Sequence, residues 1–233
     1  MTHRSHPNGR AAFLDTLSHE ARAAFAQLGT RRHYAVGDVL IREGDLAQEL
    51  VVLQDGLVKV TRRLEGGRVA LVDIKIAGDI VGEIAAMDLG PRSATVTACG
   101  EVAATVIRRD ELEPFLCANP EAWKALSRML CGRLRRSDRR RLEFGEYPVV
   151  VRLARVLVEL AASYGQSERN SLRIDVNLTQ SEFAALTGCR THTVHKALAR
   201  LRNEDIISTG SRRIYVRDLP RLQKAARLSV PAA

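Results

Sequence analysis

The apolar positions change period along the chain, and each change predicts a different kind of element. Between residues 13 and 28, Phe13, Leu14, Leu17, Ala21, Ala24, Phe25 and Leu28 recur at helical spacing, which predicts a short helical segment. From Arg32 to Arg109 the pattern shortens to β-rich runs: 39–41, 49–53, 57–60, 69–74, 94–98 and 102–107. Turn signals break these runs about every ten residues, among them Gly44-Asp45, Asp55-Gly56, Gly66-Gly67 and Gly90-Pro91. That spacing predicts an antiparallel sandwich or jelly roll.

A helix follows over about 120–144, with Pro120 in the tolerated first turn and Asn119 as its N-cap. Trp123, Ser127, Leu130, Leu134, Ser137, Arg141 and Phe144 alternate four- and three-residue steps, a heptad seam that is apolar at first and polar later. Such a stripe predicts pairing with a second copy; the competing arrangement folds it back onto the sandwich. The breaker at 145–148 ends in Pro148, which does not continue a helix interior. The chain therefore divides into a β domain at 1–118, a long helix and hinge at 119–147, and a second unit at 148–233. In that unit, 149–164 is an amphipathic helix and 172–176 a short strand, after which helices resume.

Charge separates the same segments. The net charge is +9, but residues 1–118 sum to −2, residues 119–147 to +4 and residues 148–233 to +7. Only the back half suits a polyanion. A general preference for arginine, evident in a chain with five lysines, does not explain why the front half escapes. Aromatic residues make up 4%, too few for binding by rows of stacked rings. No apolar stretch approaches the roughly 20 residues that span a bilayer, and residues 1–10 lack a secretory pattern, so a cytoplasmic chain with no membrane partner is expected. The four cysteines are isolated, which predicts free thiols and no metal site. No nucleophile elbow or metal-spaced pair appears, so no catalytic residues and no enzyme are expected.

Two motifs carry the chemistry. Thr179-Gln-Ser-Glu182 is a capping box opening a helix. Gly188 supplies a turn, and Phe183, Leu186, Val194, Ala197 and Leu198 face inward at helical spacing, a helix-turn-helix pattern. The candidate DNA-contacting residues are Thr179, Arg190, Thr191, His192, Thr193, His195, Lys196 and Arg200. Residues 207–216 look like a β-hairpin wing, with Gly210-Ser211 at its tip and Arg212 and Arg213 beside it.

The second motif, Val-Gly-Glu-Ile-Ala-Ala-Met-Asp-Leu-Gly-Pro-Arg-Ser-Ala-Thr-Val over 81–96, resembles the phosphate-binding cassette of cyclic-nucleotide-binding domains. A short helix offers its N-terminal N–H groups to a cyclic phosphate, Arg92 neutralises its charge, and Glu83 accepts from a ribose hydroxyl.

From about 34 to 218 the chain is similar to the cAMP receptor protein/FNR family of bacterial transcription regulators. The resemblance implies an α+β fold: an N-terminal β jelly-roll cyclic-nucleotide-binding domain, a long dimerisation helix and a C-terminal winged helix-turn-helix domain. It further implies a homodimer on pseudo-palindromic double-stranded DNA, a contact with RNA polymerase, and cAMP or a related cyclic nucleotide such as cGMP as effector. Its ligand positions fall on Gly82, Glu83, Ile84, Ala85, Arg92 and Ser93, with Ser137 and Asp138 of the long helix at the adenine. Asp138 departs from the relatives' hydroxyl, which leaves open a different effector on the same fold, or none. Where the cAMP receptor presents Arg, Glu and Arg to bases, this chain has Thr191, His192 and Lys196, so a changed operator sequence is expected. There is no cysteine before Cys99 for an FNR-type cluster, and His33 is the nearest candidate for a haem ligand. Ligand binding is expected to order residues 137–144 and to reorient the DNA-binding unit.

Overall fold

The computed structural model describes residues 13–64, 67, 69–168, 170–174, 176, 178–210 and 213–228. It forms two compact units, Ala11–Arg135 and Arg136–Ala233.

In the first unit the six β-rich runs become strands and two further strands, the first and sixth in chain order, join them: β1 Thr30–Tyr34, β2 Val39–Ile41, β3 Leu50–Asp55, β4 Leu57–Arg63, β5 Val69–Ile76, β6 Ile80–Val81, β7 Thr95–Ala98 and β8 Val102–Ile107. They pair antiparallel into two four-stranded sheets, ordered β1-β8-β3-β6 and β2-β7-β4-β5. Most consecutive strands change sheet, which is the jelly-roll signature. One core draws Ile41, Val51, Leu53, Val58, Val81, Val96, Ala98 and Val102 from both sheets. The alternate side chains of β3, Leu50 and Val52, join Ile80, Ile107 and the helices in a second core. With both faces covered, β3 is a continuous apolar run rather than an alternating one.

Helices cover that second core, and Ala86 of the short cassette helix joins it. The covering helices are α1 (His19–Phe25), α3 (Arg109–Ala118) and the first turns of α4 (Pro120–Glu146), while α2 (Glu83–Asp88) lies in the cassette. Phe25 touches Phe13 and Phe115 with ring centroids at 5.7 and 5.1 Å. Helix α3 is not foreshadowed by the apolar pattern, and its interior Pro114 argues against a helix there. Asn119 stands at the start of α4, its carbonyl accepting from Ala122 N at 2.9 Å, but its side-chain amide donates back to Phe115 O at 2.9 Å and so closes α3 rather than capping α4's free amides.

The 27-residue α4 runs through Gly145, and the break narrows to Tyr147-Pro148. Its buried residues are Ala122, Ala125 and Leu126. The heptad seam lies to one side of these: its Leu130 packs in part on the same core, while Trp123 is 48% and Leu134 63% exposed.

The second unit continues with α5 Val149–Tyr164, β9 Gly165–Glu168, β10 Ser171–Ile174, α6 Gln180–Thr187, α7 Thr191–Asn203, β11 Ile207–Gly210, β12 Arg213–Val216 and α8 Leu219–Ala225. Its sheet is ordered β11-β12-β10-β9. Leu153, Ala154 and Leu157 of α5 are fully buried beneath the helix pair. Arg152 Nη1 donates to Phe144 O at 2.8 Å and Arg155 to Glu143 Oε1 at 2.7 Å, so the end of α4 is tied to α5. No helix among the described residues is long and apolar enough to cross a membrane.

Candidate functional site

The cassette begins where β6 ends. Gly82 takes the left-handed conformation at φ 81°, the backbone region that costs a side chain most. A Cβ there would lie 2.5 Å from Arg92 Nη1 and 2.8 Å from Glu49 O, so the position excludes any side chain. The turn launches α2, whose first intrahelical bond runs from Ala86 N to Gly82 O at 3.2 Å. The amides of Glu83, Ile84 and Ala85 precede that bond and stand at the positive end of the helix.

Arg92 is buried beside this turn. Its Nη1 donates to Gly82 O at 3.0 Å and its Nη2 to Glu49 Oε2 at 2.9 Å. Its backbone is held as firmly, with Arg92 N bonded to Asp45 O at 2.8 Å and Gly44 N to Arg92 O at 2.9 Å. Burial pushes the guanidinium below the ordinary arginine value, while the carboxylates of Glu49, Glu83 and Asp45 pull it back up. Arginine's ordinary value is high enough that the group stays a cation.

Arg92 faces a cavity of about 260 Å³ whose charged lining is Arg32, Arg42, Asp45, Glu49 and Arg92 itself, against an apolar wall that includes Ile41 and Val51. That is near the lower end of small-ligand sites, about 300–1,000 Å³. The other cassette candidates divide by exposure. Ala85 is buried, whereas Ile84 and Ser93 are exposed. Ser137 and Asp138 lie exposed on the part of α4 that belongs to the second unit.

Glu83 is buried and ion-paired with Arg133 of α4. Arg133 Nη2 also donates to Ile80 O at 2.9 Å. Sequence reasoning missed Arg133; its one available signal was its place a turn before Ser137 on the same helix. The pair ties the cassette's ribose-binding candidate to the helix beside it.

In the second unit the capping box forms as expected. Glu182 N bonds Thr179 Oγ1 at 3.2 Å and Thr179 N bonds Glu182 Oε2 at 2.6 Å. Phe183, Ala184, Leu186, Val194, Ala197, Leu198 and Leu201 are buried between α6, α7 and their neighbours. Arg190, Thr191, His192, His195, Lys196 and Arg200 are exposed, and Thr193 is half-buried with its hydroxyl 3.2 Å from His192 Nε2. Arg200 Nε is engaged by Glu204 at 2.9 Å, one turn along α7. Gly210 pairs with Arg213 across the hairpin; Ser211 and the candidate Arg212 lie outside the described residues, and Arg213 is exposed.

Gly188 ends α6 at φ 60°, and a Cβ there would meet the Phe144 ring at 3.0 Å. Gly188→Val should therefore destabilise the second unit by about 1–3 kcal/mol. Gly188→Asn tolerates the left-handed backbone and keeps only the ring contact, so thermal melting should rank wild type above Asn and Asn above Val. Equal melting of all three would refute this account of the turn.

Among the described residues no three His, Cys, Asp or Glu side chains group to hold a metal, and there is no disulfide. Residues 31–119 match the cyclic nucleotide-binding domain family, and residues 151–225 the Crp-like helix-turn-helix domain family. The CRP-like cAMP-activated global transcriptional regulator of Mycobacterium tuberculosis is 32% identical over 218 residues, covering 94% of this chain and 97% of its own. A CRP-family transcriptional regulator from Thermus thermophilus has a TM-score of 0.72 at 27% identity, covering 87% of this chain and 100% of that one. The c-di-GMP-responsive global regulator CLP of Xanthomonas campestris shares the fold, with a TM-score of 0.73 at 18% identity over 85% of this chain and 99% of its own. With a nucleotide cassette in a jelly roll at one end and a winged helix-turn-helix at the other, the chain belongs to the CRP/FNR family of DNA-binding transcription regulators that carry a cyclic nucleotide-binding domain.

Proposed function

We propose that the protein is a homodimeric transcription regulator whose DNA binding is gated by cAMP or a related cyclic mononucleotide held in the cassette. The observation that carries this reading is the placement of Arg92: a buried cation, fixed against the Gly82 carbonyl, opening on a small-molecule cavity. A cyclic phosphate there takes the guanidinium edge and the amides of Glu83, Ile84 and Ala85. Glu83 accepts from the ribose, and Ser137 and Asp138 supply acceptors for the base, one copy of the chain completing the site of the other.

The exposed face of α7 enters the major groove, where Thr191, His192 and Lys196 meet base edges and Arg190 lies at the helix start. Two copies address a pseudo-palindrome whose half-sites are about 34 Å apart. Arg213 and the wing sit by the phosphate backbone, and RNA polymerase is the partner at the promoter.

Calorimetric titration of the full chain with cAMP and then cGMP tests the gating. One nucleotide should bind with micromolar affinity, about −8 kcal/mol, and Arg92→Ala should abolish the heat. A second reading, the same regulator with a different effector or none, is favoured by Asp138 and by the c-di-GMP response of the Xanthomonas relative. Silence for both nucleotides, with operator binding intact, would establish that second reading.

A further inference from the structure

The anion position on Arg92 is already taken. Its Nη1 is committed to the Gly82 carbonyl at 3.0 Å, which leaves the Nη2 edge for an anion, and the Glu49 carboxylate holds that edge at 2.9 Å. The two partners are unequally placed. The Arg92 side chain is 4% exposed and locked by its backbone bonds to residues 44 and 45, whereas the Glu49 side chain is 38% exposed. Both line the cavity, and so do Arg32 and Arg42.

We infer that Glu49 is an internal competitor for the ligand: its carboxylate occupies the anion position on Arg92 and must be displaced for a phosphate to bind. The inference rests on the nucleotide-gated reading of the cassette and adds its regulation. A guanidinium this deeply buried is costly without a counter-ion, so Glu49 keeps the ligand-free cassette folded. The same contact raises the ligand concentration needed to fill it. The incoming phosphate replaces one anion by another on Arg92, and the exposed carboxylate turns towards water and the cavity's remaining cations, Arg32 and Arg42. The net electrostatic gain of binding is thereby reduced, and Glu49 sets the threshold of the response.

A purely structural role for Glu49 and this competing role predict opposite signs for one substitution. Glu49→Gln keeps the shape and a hydrogen-bond acceptor but removes the charge. We expect its ligand-free melting temperature to fall while its affinity for anions rises at least tenfold. Calorimetry on the full chain, wild type and Glu49→Gln, would use cAMP, cGMP and inorganic phosphate, each repeated with Arg92→Ala added. Tighter binding of a nucleotide or of phosphate to Glu49→Gln, lost on adding Arg92→Ala, supports the inference. If phosphate alone tightens while both nucleotides stay silent, the competitor stands and the nucleotide reading falls. If a nucleotide binds wild type as tightly as Glu49→Gln, or more tightly, the inference is overturned and the nucleotide reading stands. No binding of any of the three to Glu49→Gln overturns both.

Discussion

Arg133→Ala should lower the stability of the Ala11–Arg135 unit by about 3–5 kcal/mol, the cost of stranding one member of a buried ion pair. The exposures justify the upper range: the Glu83 side chain is 4% exposed and the Arg133 side chain 19%, so water reaches neither charge well. The substitution also removes the Nη2 bond to Ile80 O and leaves that carbonyl short of a donor. Most of the loss comes from the carboxylate left behind, and this fixes the control. Adding Glu83→Gln to Arg133→Ala removes the stranded charge and should restore more than half of the lost stability. Thermal and denaturant unfolding of the two variants, followed by a probe confined to the first unit, checks this. Equal destabilisation of the single and double variants would show that Arg133 contributes by packing its stem, not by pairing.

That ion pair also shows where a sequence stops being readable. The helix-turn-helix was legible residue by residue because its signals are local. The capping box spans four residues, Gly188 marks the turn itself, and the apolar spacing of Phe183 to Leu201 records which faces are buried. The strands were legible wherever one or both faces were apolar. β1, Thr-Arg-Arg-His-Tyr, escaped because it lies at a sheet edge with almost every side chain in solvent, so no alternation is imprinted on it. β6 has two residues, too few for any period.

The cassette was legible as a string of residue types but not as a network. Glu83 and Arg133 are 50 positions apart, and Glu49 and Arg92 are 43 apart. Charge pairing at such separations leaves no periodic trace, since any of the chain's 27 acids could answer any arginine until the fold brings them together. The long helix is ambiguous for a different reason. It carries two apolar stripes: the one that packs on the sandwich is short and alanine-rich, and the one that fits a heptad leaves Trp123 and Leu134 outside while its Leu130 packs in part on the core.

That outer stripe sets the second large effect. Leu134→Glu should convert the proposed dimer to monomers and weaken operator binding about 10²–10⁴-fold, the loss expected when two linked half-site contacts become one. Leu134 is 63% exposed in the single chain, so glutamate there costs little to the fold. Along the seam it stands with Trp123, Leu130 and Phe144, where the two copies of α4 would lie against each other. Burying a leucine at such an interface contributes about 1.5–3 kcal/mol. Two copies lose twice that, and two facing carboxylates repel besides. Leu126→Glu, the same substitution two turns earlier on α4, supplies the contrast. Leu126 is 2% exposed in the core under the sheet, so a charge there should unfold the first unit rather than dissociate the dimer. Sedimentation equilibrium, melting and operator titration together separate the cases. A Leu134→Glu protein that melts normally, sediments as a monomer and binds DNA weakly places the seam at the dimer axis. One that keeps dimer mass and full affinity would move the axis off α4, and with it the role of Ser137 and Asp138 in completing the partner's site.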